Sequence, residues 1–157
     1  MATGLDKIDL KILAELQEDA SRSSAEISEV VGASTSTCGN RIKRLTAEGY
    51  IKKTVALLSR DKLDMRTQFF VKVNARQHDP QYIRDFTERM KVMPEVLECH
   101  VLLGDFDFLL RVVTPDLHSY EDFYFKKLSC IPGVREASTF VSLSEVKMTT
   151  VLPLPRR

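Results

Sequence analysis

The sequence predicts an α+β protein: an N-terminal helix-turn-helix unit of winged-helix type joined to a C-terminal ferredoxin-like βαββαβ domain. Two observations predict it. Apolar residues in the first fifty positions recur at helical spacing in three short blocks separated by capping residues and glycines. Beyond residue 66 the period changes, and short β-rich runs alternate with two helical stretches in the order β-α-β-β-α-β. The expected divisions are 1–53 for the helix-turn-helix domain, 54–66 for a linking strand and hinge, and 67–157 for the second domain.

Residues 5–17 place Leu5, Ile8, Ile12, Leu13 and Leu16 on one face of a helix, with Asp and Lys opposite. Ser23 followed by Glu26 is a capping box that opens a second helix through Ile27, Val30 and Val31. Gly32 stops it, and Ser34 caps a third helix that runs to about Glu48 before Gly49. Helices this short are marginal alone, so they must share a core. Leu13, Leu16, Ile27, Val31, Ile42 and Leu45 are the expected members.

The third helix is chemically divided. Ile42 and Leu45 face inward, which leaves Ser34, Thr35, Ser36, Thr37, Asn40, Arg41, Lys43 and Arg44 for the outer surfaces. Small hydroxyl residues at a helix N-terminus admit close approach to a nucleic-acid backbone. Asn40 suits adenine, and Arg41 or Arg44 suits guanine or phosphate. A capped surface helix with solvated basic residues has the same composition, so the pattern alone leaves both readings open. Gly39 lies within this helix at a cost of about 0.5–1 kcal/mol relative to alanine.

Net charge is only +1 over 157 residues, but its distribution is uneven. Residues 34–53 hold five basic groups (Arg41, Lys43, Arg44, Lys52, Lys53) against Glu48 alone, whereas residues 64–157 hold 13 of each sign. One electropositive segment on a neutral background fits a localised DNA contact better than an architectural protein coated in basic residues.

In the second half, strands are expected at 54–59, 67–75, 96–103, 108–114 and 134–144, and helices at 79–94 and 115–133. The tail from Glu145 offers another short strand before its prolines. Two helices cover one face of such a sheet. The uncovered face, in a sheet this apolar, is expected to pair with a second copy of the chain. A two-fold dimer would set two recognition helices against half-sites roughly 34 Å apart, or a multiple of that.

Other chemistry is sparse. His78, His100 and His118 are scattered, and Cys99 beside His100 on a strand points to the opposite face, so no metal is expected. Cys38, Cys99 and Cys130 lack a Cys-x-x-Cys spacing and suit a reducing cytosol, with Cys38 a small buried hydrophobe. Tyr120, Phe123, Tyr124 and Phe125 are expected in core and interface. No apolar run reaches the roughly 18–20 residues of a membrane helix, and no secretory signal opens the chain. No nucleophile–base pair or phosphate loop is present, so an enzyme is the weaker alternative, although the ferredoxin-like fold itself does not exclude one.

Four segments, taken in order, resemble the leucine-responsive regulator/asparagine-synthetase regulator (Lrp/AsnC) family. LDKIDLKILAELQEDASRS (5–23) resembles its opening helix, and VVGASTSTCGNRIKRLTAEGYIKK (30–53) its helix-turn-helix. PEVLECHVLLGDFDFLLRV (94–112) and IPGVREASTFVSLSEVK (131–147) resemble its effector-binding domain. The sequence departs from the family pattern at Phe106 and Phe108, where many relatives carry tyrosine, at Ala33 where leucine is common, and at Thr46 where glutamate is common.

The resemblance implies a prokaryotic, cytoplasmic, nucleoid-associated transcriptional regulator that binds double-stranded DNA. It further implies assembly as homodimers and often octamers, no cofactor, and an amino-acid effector. It implicates Gly104, Asp105 and Asp107 in the effector site, with Ser138 and Thr139 as neighbours. A free amino acid offers an ammonium and a carboxylate, which an acidic side chain and backbone N–H groups at a glycine turn would match. Gly-Asp-Phe-Asp is equally ordinary hairpin chemistry.

Overall fold

The computed structural model describes residues 4–76 and 80–155. Residues up to Leu57, together with those from Lys147 onward, form one compact unit, and Leu58–Val146 form the other.

In the first unit, α1 (Lys7–Glu18), α2 (Ser24–Val31) and α3 (Thr35–Ala47) follow one another with short turns. The capping box of Ser23 and Glu26 forms reciprocally, and Gly32 takes a left-handed conformation at φ 75°, which releases the chain into the cap of α3. Ser34 accepts a hydrogen bond from the Thr37 amide. The fully buried core is Ile12, Ile27, Val31, Cys38 and Leu45, with Leu13, Leu16 and Ile42 packed around it half-buried. Cys38 is thus a core residue, as its size suggested. Ile12 replaces its neighbour Leu13 at the centre, one position round the α1 face. The tail lies in this unit: Gln17 exchanges two hydrogen bonds with the backbone of Leu152, at 2.9 and 3.0 Å.

The second unit contains a four-stranded antiparallel sheet in the order β2-β3-β1-β4, from β1 (Thr67–Ala75), β2 (Val96–Val101), β3 (Phe108–Thr114) and β4 (Val134–Val141). One face is covered by α4 (Pro80–Val92) and by α5 (Leu117–Phe123), which continues into a π-helical turn, Tyr124–Leu128. Phe69, Val71 and Val73 of β1 and Phe108, Leu110 and Val112 of β3 alternate onto that side. They meet Phe86 and Met90 of α4, and Tyr120, Phe123 and Leu128. Phe70, Lys72 and Arg111 point to the opposite face, where Phe70 and Phe140 stay exposed.

The sequence reading needs correction in several places. Residues 54–59 form no strand, nor does the tail from Glu145. A strand is held by backbone hydrogen bonds to a neighbouring strand, and among the described residues these segments pair with none. The strands expected at 96–103 and 134–144 stop at Val101 and Val141. The helix expected over 115–133 begins at Leu117, after the cap Asp116, and breaks its hydrogen-bond register at Tyr124. Phe125 leaves the core at 66% exposure. The expected start of α4 at Asp79, like His78, falls outside the described residues.

Candidate functional site

At the N-terminus of α3, exposed hydroxyls converge. Ser34 Oγ lies 2.8 Å from Thr37 Oγ1 and 3.1 Å from Ser36 Oγ, and Thr35 Oγ1 lies 3.2 Å from Ser28 Oγ of α2. These groups surround the positive end of the helix dipole, an arrangement suited to phosphate. Farther along, Cys38 and Leu45 anchor the buried face, so that Ser36, Asn40 and Lys43, at i, i+4 and i+7, form the stripe directed away from the core. All three are exposed.

The two arginines are placed differently. Asp6 and Asp9 cap α1 reciprocally: the Asp9 amide donates to Asp6 Oδ1 at 2.8 Å and the Asp6 amide to Asp9 Oδ2 at 3.1 Å. The Asp9 side chain is only 1% exposed. It also accepts from Arg41 Nη1 at 2.9 Å and forms an ion pair with Arg44 Nη2 at 2.6 Å. Arg41 Nη1 reaches Asp6 as well. Burial would raise the Asp9 carboxyl, but the Asp6 amide, Arg44 and Arg41 together hold it below the ordinary carboxylate value. Asp6 is lowered chiefly by its hydrogen bond to Arg41. Asp6 and Asp9 escaped the sequence reading, which placed the acids of α1 on a solvated face. The Asp-x-x-Asp spacing at the head of the helix was the available signal, since it matches a capping box.

These acids also revise the local charge. Five basic groups in residues 34–53 faced one acid by sequence; with Asp6 and Asp9 counted they face three. Lys43, exposed at the C-terminal end of the stripe, has no acid within ion-pair distance among the described residues.

In the second unit the turn after β2 carries Gly104 and Asp105 on the surface. Asp107 turns inward: its Oδ2 accepts the Ala75 amide at 2.7 Å, its own amide donates to the Val73 carbonyl at 3.1 Å, and its carbonyl accepts from Leu102 at 2.9 Å. It therefore closes the end of β1 where the register to β4 shifts between Asn74 and Ala75. Ser138 and Thr139 point to opposite faces. Thr139 Oγ1 hydrogen-bonds the Tyr120 hydroxyl on the helix side, whereas Ser138 sits opposite Lys72 on the uncovered face. Within one chain they do not line the same pocket. Lys72, which the sequence reading did not single out, has its Nζ 4.8 Å from the Phe106 ring centroid and 5.0 Å from that of Phe140.

Among the described residues no group of three His, Cys, Asp or Glu side chains could hold a metal ion. No helix among them is long and apolar enough to cross a membrane.

Two family models match the chain: residues 5–52 a winged helix-turn-helix DNA-binding domain, and residues 68–152 the Lrp/AsnC ligand binding domain. The leucine-responsive regulatory protein of Escherichia coli is 36% identical over 153 residues, 98% of this chain and 93% of that one. Among solved structures, a transcriptional regulator from Neisseria meningitidis in an L-Met complex superposes with a TM-score of 0.90 at 36% identity, covering 95% of this chain and 96% of that one. An AsnC family transcriptional regulator from Agrobacterium tumefaciens gives the same TM-score and identity, covering 95% and 97%. With both units matched in order and over nearly their whole length, the chain belongs to the Lrp/AsnC family of DNA-binding transcriptional regulators.

Proposed function

We propose that α3 docks in the major groove of duplex DNA, with Ser34, Thr35 and Ser36 at the backbone and Asn40 and Lys43 toward the bases, and that an amino acid bound by the second unit modulates this contact. The outward Ser36–Asn40–Lys43 stripe on a helix anchored by Cys38 and Leu45 carries the DNA reading. Thr37 packs its hydroxyl against the cap and supports the others.

The L-Met complex of the Neisseria regulator supports an amino acid as the effector class here. Exposed Gly104 and Asp105 fit the ligand's carboxylate and ammonium, through a backbone N–H and a carboxylate respectively. Asp107 shapes that turn, and Ser138 flanks the sheet face next to it. The exposed Phe70 and Phe140 on the uncovered face support homodimers, with octamers as the further assembly. We read the protein as a cytoplasmic, nucleoid-associated regulator without catalysis or cofactor. A substrate screen that finds turnover would remove that reading.

The test is fluorescence anisotropy on a duplex selected by the protein from a random pool, repeated with each of the twenty amino acids. Selective binding that one or more amino acids shifts is expected. Absence of any preference for the selected duplex over random sequence at moderate salt would overturn the DNA reading.

A further inference from the structure

We infer that Asp9 is a positioning residue for DNA recognition: it draws Arg41 and Arg44 onto α1, so that base reading falls to Asn40 and Lys43 and not to the arginines. This rests on α3 being the DNA-reading helix. The carboxylate of Asp9 is buried and accepts three bonds, from the Asp6 amide, Arg41 and Arg44. A carboxylate in that position needs those partners, because removing a cation leaves an uncompensated buried charge. Arg41 is held further by Asp6, and its side chain is 26% exposed. Around α3, Arg41 and Arg44 fall on the flank facing α1, whereas Ser36, Asn40 and Lys43 fall opposite the buried Cys38.

The clamp has two consequences for recognition. It cancels the long-range pull of two guanidiniums, so non-specific attraction to phosphate is limited to the remaining lysines and the helix dipole. It also ties α3 to α1 through one fixed side chain, which sets the rotation of the reading stripe about the helix axis. Selectivity is a difference between affinities, and arginines released to grip phosphate in any register would raise the affinity for random sequence without raising that for the selected one.

The experiment uses the full chain on two duplexes of equal length: one selected by the unmodified protein from a random pool, and one of random sequence. The slope of log K against log salt is measured for each. Asp9→Asn is expected to steepen the slope on random DNA by about one to two, as one or both freed arginines engage phosphate. The ratio of selected to random affinity should fall at least tenfold. A purely architectural Asp9 would lower thermal stability and leave slope and ratio unchanged, and that outcome overturns the proposal.

The double substitution Asp9→Asn with Arg41→Gln preserves net charge and a neutral hydrogen-bonded contact. With only Arg44 freed, the slope on random DNA is expected to exceed that of the unmodified protein by no more than about one. A loss of about one unit of slope would place Arg41 on DNA and also overturn the clamp. Lys43→Gln, by contrast, is expected to lower the ratio of selected to random affinity about tenfold, as loss of a base contact does. Should Asp9→Asn fail to fold, Asp6→Asn, which loosens Arg41 alone from an exposed position, reads the same slope. If the unmodified protein selects no sequence, the DNA reading has failed, and that result is distinct from any of these.

Discussion

Gly133 lies directly against the ring of Tyr82: a Cβ built on that glycine would come within 2.4 Å of Tyr82 Cε2. The glycine sits at φ 90°, in the left-handed region, where it turns the chain from the helical segment into β4. Backbone conformation and close packing thus impose the same residue. Gly133→Ala is expected to cost about 1–2 kcal/mol from the backbone alone, and more from displacing Tyr82. Gly32→Ala, at φ 75° with nothing within 4 Å, should cost only the backbone part. Denaturant unfolding of the two variants checks the difference, and equal losses would show that the Tyr82 contact yields freely.

Gly39 presents the opposite case. It lies within α3, and an added Cβ would meet only Ser24 Oγ, at 3.7 Å, an ordinary contact. Gly39→Ala is therefore expected to stabilise the first unit by about 0.5–1 kcal/mol through the helix preference of alanine. Calorimetry should record a raised melting temperature for that unit. A lowered one would mean that α2 and α3 pack more tightly there than the geometry indicates.

Much of this architecture was legible because local signals agreed with the global pattern. Ser23 with Glu26, Ser34 and Gly32 marked helix ends by the bonds their own backbones need, and those bonds form. The strand expected at 67–75 forms, and Phe69, Val71 and Val73 alternate onto its covered face. The expected strand at 54–59 failed for a reason that no local composition reveals: pairing is non-local, and β-propensity cannot supply a neighbour. The ion pairs of the arginines were not legible for a related reason. Thirty-two residues separate Asp9 from Arg41, so a basic segment counted along the chain took no account of acids that folding brings beside it. Asp107 was implicated by the resemblance, whereas its position at the end of β1 also gives it a backbone amide to satisfy.

The clamp also makes acid sensitivity predictable. The folded-state value of Asp9 lies below the ordinary one, and Asp6 is shifted in the same direction. A lowered carboxylate contributes stability that is present above its unfolded value of about 3.9 and is lost as pH falls through the folded value. The helical unit should therefore weaken below about pH 4 and hold steady between about pH 5 and 8. Asp9→Asn should flatten that acid limb while lowering stability at neutral pH. Thermal melts by circular dichroism across pH 3–7 test this, and an acid limb unchanged in the variant would assign the sensitivity to other carboxylates.

The two aspartates of the turn after β2 should separate by function. Asp107 satisfies the Ala75 amide at 2.7 Å, so Asp107→Ala leaves a part-buried donor without its acceptor and should cost about 1–3 kcal/mol. Loss of amino-acid response in that variant would accordingly be ambiguous, because the turn itself would relax. Asp105 is exposed, and its removal should leave folding stability within about 0.5 kcal/mol. A ligand at about 100 times its Kd adds roughly 2.7 kcal/mol to stability, a shift that thermal unfolding resolves easily. Asp105→Ala is expected to abolish that shift for the amino acid that stabilises the unmodified protein, with basal DNA binding unchanged. An undiminished shift would place the ammonium partner elsewhere, whereas a parallel fall in unliganded stability would return Asp105 to ordinary turn chemistry.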